Sequence, residues 1–103
     1  MKKIINRKTF NTETAIEIAS WDNNRSRTDF DFCEEVLYKT KRGDYFLYGE
    51  GGAATMYAKY NGLDGTYGSW DIIPYSENEA KKWLEKRDKT EAYIAEFGER
   101  SWK

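Results

Sequence analysis

The densest set of reactive groups in the chain is acidic. Asp29-Phe30-Asp31 is followed closely by Glu34 and Glu35, and two or three such carboxylates could hold Mg²⁺ or Ca²⁺. The spacing fits no calcium loop, because the central glycine and the distal glutamate in register are missing. A solvated acidic loop is the plain reading, and a contact patch for a basic partner is the functional one. Gly49-Glu50-Gly51-Gly52 ends a strand-like segment and precedes a possible helix from Ala53 to Tyr60. Backbone amides there could nest an anion. The Lys-Ser/Thr ending of a phosphate loop is absent, however, and Glu50 would repel a phosphate.

Other chemistry is thinly supplied. The chain contains no histidine, so a Ser-His-Asp or Cys-His site cannot be assembled. Its one cysteine, Cys33, cannot close an internal disulfide or fill a zinc site, and it fits a buried thiol in a reducing compartment. Lys2, Lys3, Arg7 and Lys8, with Arg25 and Arg27, could touch phosphate, or could simply protect an edge strand. These residues imply no catalysis, no metal and no cofactor. They leave recognition, with Tyr57, Tyr60, Tyr67 and Trp70 as anchors and Asp29, Asp31, Glu34 and Glu35 as charged contacts. Glycines 49, 51, 52, 62, 65 and 68 interrupt the tyrosine-bearing stretch. A loop with rigid aromatic tips is a common recognition surface. The competing view has the tyrosines folding back to cap the sheet.

The elements that must carry these residues follow from local pattern. Lys2 to Phe10 reads as a strand, a turn at Asn6-Arg7-Lys8 and a return. Asn11 or Thr12 then caps a helix to about Ser20, with Ala15, Ile16 and Ala19 on one side. Residues 21–29 are polar and turn-rich. Glu35–Thr40 and Tyr45–Gly49 are rich in aromatic and branched side chains and flank the turn Lys41-Arg42-Gly43-Asp44, which predicts a hairpin. Trp70–Ile73 is a further strand, ended by Pro74. Ser76-Glu77-Asn78-Glu79 is a capping box for a helix burying Ala80, Trp83 and Leu84. Asp88-Lys89-Thr90-Glu91 opens a second helix that turns Ala92, Ala95 and Phe97 inward and stops at Gly98. Trp102 lies in the polar tail, either docked or exposed. The expected fold is α+β: one domain over residues 1–103, with a small, mostly antiparallel sheet of three to five strands. An N-terminal helix and two C-terminal helices cover it.

The totals set outer bounds. A chain of 103 residues with 17 basic and 18 acidic side chains has no overall pull toward nucleic acid. An aromatic share of 17% opposes disorder. Met1-Lys2-Lys3-Ile4-Ile5 begins like a signal peptide, but Asn6, Arg7 and Lys8 interrupt it. No apolar run reaches the ~20 residues of a membrane span. A cytosolic protein is the expectation.

Several strings resemble a family of small proteins from phages and mobile elements of Gram-positive bacteria. They are Glu35-Val36-Leu37-Tyr38-Lys39-Thr40 and the run from Gly43 to Ala53. They are flanked by Asn11-Thr12-Glu13-Thr14-Ala15, Ile72-Ile73-Pro74, Glu79-Ala80 with Trp83-Leu84-Glu85, and Phe97-Gly98. Some members are, or are fused to, anti-CRISPR proteins. The resemblance implies a non-catalytic inhibitor in the cytoplasm of the bacterial host. It would bind a Cas effector protein or complex and block its target DNA binding or cleavage. Two other readings stand beside it: a regulatory module of a mobile element with another protein partner, and a small metal-dependent enzyme using Asp29, Asp31, Glu34 and Glu35.

Overall fold

The computed structural model describes residues 1–63 and 65–98; Trp102 lies outside them. The fold is α+β, with antiparallel sheets and two C-terminal helices. A hairpin comes first, β1 (Lys2–Ile5) and β2 (Lys8–Asn11), closed by Asn6 and Arg7 at positive φ. Both central residues of a tight two-residue turn need that conformation to match the strand twist. Next come β3 (Ile16–Asp22), β4 (Cys33–Lys39) and β5 (Tyr45–Gly51). A short ribbon, β6 (Lys59–Tyr60) with β7 (Thr66–Tyr67), precedes β8 (Ser69–Tyr75). Helices α1 (Glu77–Lys86) and α2 (Thr90–Phe97) finish the described chain.

The main sheet has the order β3-β4-β5-β8 and is antiparallel throughout. Both faces of its centre are covered, so β5 is buried along most of its length and β4 at Glu35–Leu37, rather than in strict alternation. On one face Leu37, Tyr45 and Leu47 meet Ala80, Trp83 and Leu84 of α1, and Ala92, Tyr93 and Phe97 of α2 pack alongside. On the other, Val36, Phe46, Tyr48 and Ile72 meet Phe10 of the first hairpin. The Phe46 ring takes the Phe10 edge at 5.5 Å and stacks on Tyr38 at 5.1 Å between centroids. The capping box forms as its sequence predicts. The Glu79 amide donates to Ser76 Oγ at 3.1 Å, and the Ser76 amide donates to Glu79 Oε1 at 2.7 Å.

The expected N-terminal helix is absent, and its residues form β3. The Asn11 carbonyl accepts from the Ala15 amide and the Asn11 side chain accepts from the Glu13 amide, which closes one turn that does not propagate. From Ile16 onward, branched and aromatic side chains gain more by pairing with β4 than a lone helix would give. Three smaller differences have local causes. The Ala53–Tyr60 segment is turns and β6, not a helix. β8 runs through Pro74 to Tyr75, which an edge strand tolerates because the missing N–H can face away from its neighbour. Asp88 adopts φ 58° as the link between the helices, so Lys89, without a side-chain cap, precedes α2. Ala95 is exposed rather than turned inward.

Candidate binding surface

Chain direction fixes where the candidate residues collect. In this sheet order β3 and β5 end, and β4 and β8 begin, at one end of the sheet. The loops 23–32 and 52–68 therefore share that end. They brace each other. The Gly52 amide donates to the Phe32 carbonyl and the Ala54 amide to the Phe30 carbonyl, both at 2.9 Å. Thr66 Oγ1 donates to the Ala53 carbonyl at 3.0 Å. A Cβ at Gly52 would strike the carbonyls of Asp29 and Phe30, so glycine there permits the close approach of the two loops.

Beneath the loops lies a buried polar cluster. Alternation along β4 sends Glu34 and Glu35 to opposite faces. Glu35, only 4% exposed, faces the helices. Its Oε1 accepts from Trp83 Nε1 at 2.8 Å and from Arg87 Nη2 at 2.9 Å, and its Oε2 accepts from the Tyr57 hydroxyl at 2.6 Å. Burial alone would raise the carboxyl pKa. Donation by Tyr57, Trp83 and Arg87 outweighs it and holds the pKa below the ordinary value. The Tyr57 hydroxyl is pushed well up by burial and by its bond to Glu35. Arg87 lies over the Trp21 ring, 3.4 Å from its centroid. Gly49 leaves the slot that the Tyr57 ring fills. A carboxylate saturated by three donors and held ionised is a poor base. Its chemistry here is to pin β4, the loop and α1 together.

The proposed contact residues therefore separate. Tyr57, 4% exposed, is part of the interior and is not available as an anchor; the folding-back alternative describes it. Glu35 is equally inaccessible. Tyr60 and Tyr67 are exposed, but the ribbon pairs Lys59 with Tyr67 and Tyr60 with Thr66, which places the two rings on opposite faces. Trp70 is half-buried beside Tyr48, with 6.1 Å between ring centroids. Asp29 and Asp31 are exposed in the 23–32 loop. Glu34 is half-buried and paired with Arg27 at 3.3 Å, while Arg27 also reaches Glu50 at 2.6 Å. The acidic run is thus split among a loop, an ion-paired face and the interior. Among the described residues no three Cys, Asp or Glu side chains converge to hold a metal.

Three residues absent from the sequence-based set belong with it. Phe30, Met56 and Leu63 are exposed on the same loops, Leu63 to 93%. With Tyr60 and Tyr67 they make five of the nine large exposed apolar side chains among the described residues. Their concentration on one end distinguishes them from ordinary scattered apolar exposure. The signal was available in the sequence. Phe30 stands between two aspartates and Leu63 beside a glycine, where no core-facing periodicity can explain them. Comparison of the chain with protein-family models, with curated proteins and with solved structures finds no match.

Proposed function

We propose that this chain is a non-catalytic binding protein that docks the loop end of its sheet onto a protein partner. The partner proposed is a Cas effector, whose target DNA binding or cleavage the docked protein blocks by occupying its surface. One observation supports the docking end: Phe30, Met56, Tyr60, Leu63 and Tyr67 stand exposed on loops that are themselves braced. Exposed apolar tips on a pre-ordered scaffold lose little entropy on binding, and a few such side chains dominate most interfaces. Leu63 and Tyr60 are the proposed central contacts, with Asp29 and Asp31 as rim. The resemblance to mobile-element proteins that include anti-CRISPR members supports the class of partner. A cytoplasmic site of action in the bacterial host follows from that partner.

The test is capture of purified effectors from several CRISPR types, with and without guide RNA, followed by a DNA cleavage assay. The triple variant Phe30→Ser, Tyr60→Ser, Leu63→Ser should keep the parent's melt, because none of these side chains is buried. It should also lose capture and inhibition. Failure to retain any effector would refute the partner. Undiminished capture by the triple variant would refute the surface.

A further inference from the structure

A second surface, distinct from the exposed apolar tips, lies along the outer edge of β3 and runs up to the 23–32 loop. This strand closes the main sheet on one side. The Asn23 amide donates to the Cys33 carbonyl at 3.1 Å, continuing the register Trp21↔Glu35 and Ala19↔Leu37. In an antiparallel ladder such pairs alternate, so Ser20 and Asp22 turn their N–H and C=O groups outward. Among the described residues no hydrogen bond reaches those outward groups. The opposite edge is defended differently: β8 carries Pro74, and Lys3 of β1 reaches across to Asp71 at 2.6 Å. The only interruption on β3 is a bulge between Glu17 and Ala19, which leaves Ala19 to Asp22 regular.

Charge identifies what could cover this edge. Between Lys8 and Arg25 the chain has Glu13, Glu17 and Asp22 and no lysine or arginine. None of the three carboxylates is in an ion pair among the described residues, in contrast to Glu34, Glu35, Asp44, Glu50, Asp71, Glu77 and Glu96. Exposed edges are commonly blunted with lysine, proline, other charges or a bulge; β3 has no lysine or proline, its bulge precedes Ala19, and its charges are acidic. A second copy of this strand would bring carboxylates against carboxylates, which disfavours self-pairing. A strand bearing cations would instead gain both backbone bonds and charge pairs.

We propose that the outer edge of β3 from Ala19 to Asp22 receives an extended segment rich in lysine or arginine. The segment adds as a fifth strand through the backbones of Ser20 and Asp22. Its alternate cationic side chains lie beside Asp22 and Glu17, which share one face of the sheet. This assignment does not depend on the loop-end reading, and the two predict effects at different residues.

The probe is a labelled peptide alternating lysine with threonine, compared with its glutamate counterpart and with a version N-methylated at alternate amides. The protein is used as the parent and as E13Q/E17Q/D22N. The amide oxygen that D22N introduces can still accept from the Asn24 amide, as the Asp22 carboxylate does at 2.7 Å. Binding is followed by fluorescence anisotropy and by amide shifts of the labelled protein. The lysine peptide should bind and perturb the Ser20 and Asp22 amides, and the glutamate peptide should not. N-methylation and the triple variant should each weaken binding about tenfold, equivalent to about 1.4 kcal/mol. No measurable binding of the lysine peptide overturns the proposal. So does equal binding of the N-methylated peptide, or a set of shifts confined to residues 52–67.

Discussion

Replacing Glu35 by alanine tests the cluster that holds the loop end in place. The substitution leaves three donors without their acceptor: the Tyr57 hydroxyl, Trp83 Nε1 and the Arg87 guanidinium. Breaking a buried charge pair by removing one partner costs about 3–5 kcal/mol. The Arg87 side chain keeps 17% exposure against 5% for Glu35, so part of its charge can be rehydrated and the lower end applies, about 3 kcal/mol. The unpaired Tyr57 and Trp83 groups are included in that figure rather than added to it, since groups sharing one acceptor are not additive. For a domain near this size about 3 kcal/mol lowers Tm by roughly 12–24 °C. Urea unfolding by circular dichroism measures the free energy directly. The double variant Glu35→Leu, Arg87→Met removes both charges and should recover part of the loss, the remainder coming from the Tyr57 and Trp83 donors that still lack an acceptor. A Glu35→Ala melt within about 3 °C of the parent would refute the reasoning. A double variant no more stable than the single one would show that the unpaired Arg87 charge does not set the loss.

Two further outcomes are expected. The depressed Glu35 carboxyl means that the unfolded chain binds its proton more readily than the folded one. Its contribution is therefore complete above its ordinary pKa of 4.5 and is lost as pH falls through the lower folded value; urea midpoints between about pH 6 and pH 3 should fall more steeply for the parent than for Glu35→Gln. Gly49→Ala should destabilise by about 1–3 kcal/mol, because the new Cβ meets the Tyr57 ring and hydroxyl, and adding Tyr57→Ala should produce no comparable further loss; simple additivity of the two would remove the steric explanation.

What the sequence made legible was local. The β4–β5 hairpin was readable because the turn and both strands lie within one short window. The Ser76–Glu79 box was readable because cap and reciprocal partner are three residues apart. The first hairpin was readable from the polar turn Asn6-Arg7-Lys8 that follows the short strand ending at Ile4-Ile5. Residues 11–20 were not, because Asn11 closes a real turn and the spacing of Ala15, Ile16 and Ala19 suits a helix as well as a strand. Only pairing with β4 decides between them. The candidate site failed for a related reason. Glu34 and Glu35 look like one acidic cluster in the chain, yet they diverge once the segment is a strand. The partners that bury Glu35 are 48 and 52 residues away. Tyr57 likewise resembles Tyr60 and Tyr67 until the slot at Gly49 distinguishes it. Phe30, Met56 and Leu63 were visible as apolar residues without periodicity, but exposure follows only once the loops are placed.

The separation of Glu35 from its donors along the chain also bears on the order of assembly. The β4–β5 hairpin closes over a short local turn and can form early, whereas Trp83 and Arg87 reach Glu35 only after α1 docks. Until that step the carboxylate lacks its Trp83 and Arg87 donors. If α1 docks after the transition state, variants at Glu35 accelerate unfolding far more than they slow refolding, and a slowed refolding limb would place the docking earlier. In that order of assembly the cluster acts chiefly on the lifetime of the native protein, setting how long the assembled loop end persists once formed rather than how quickly it is reached.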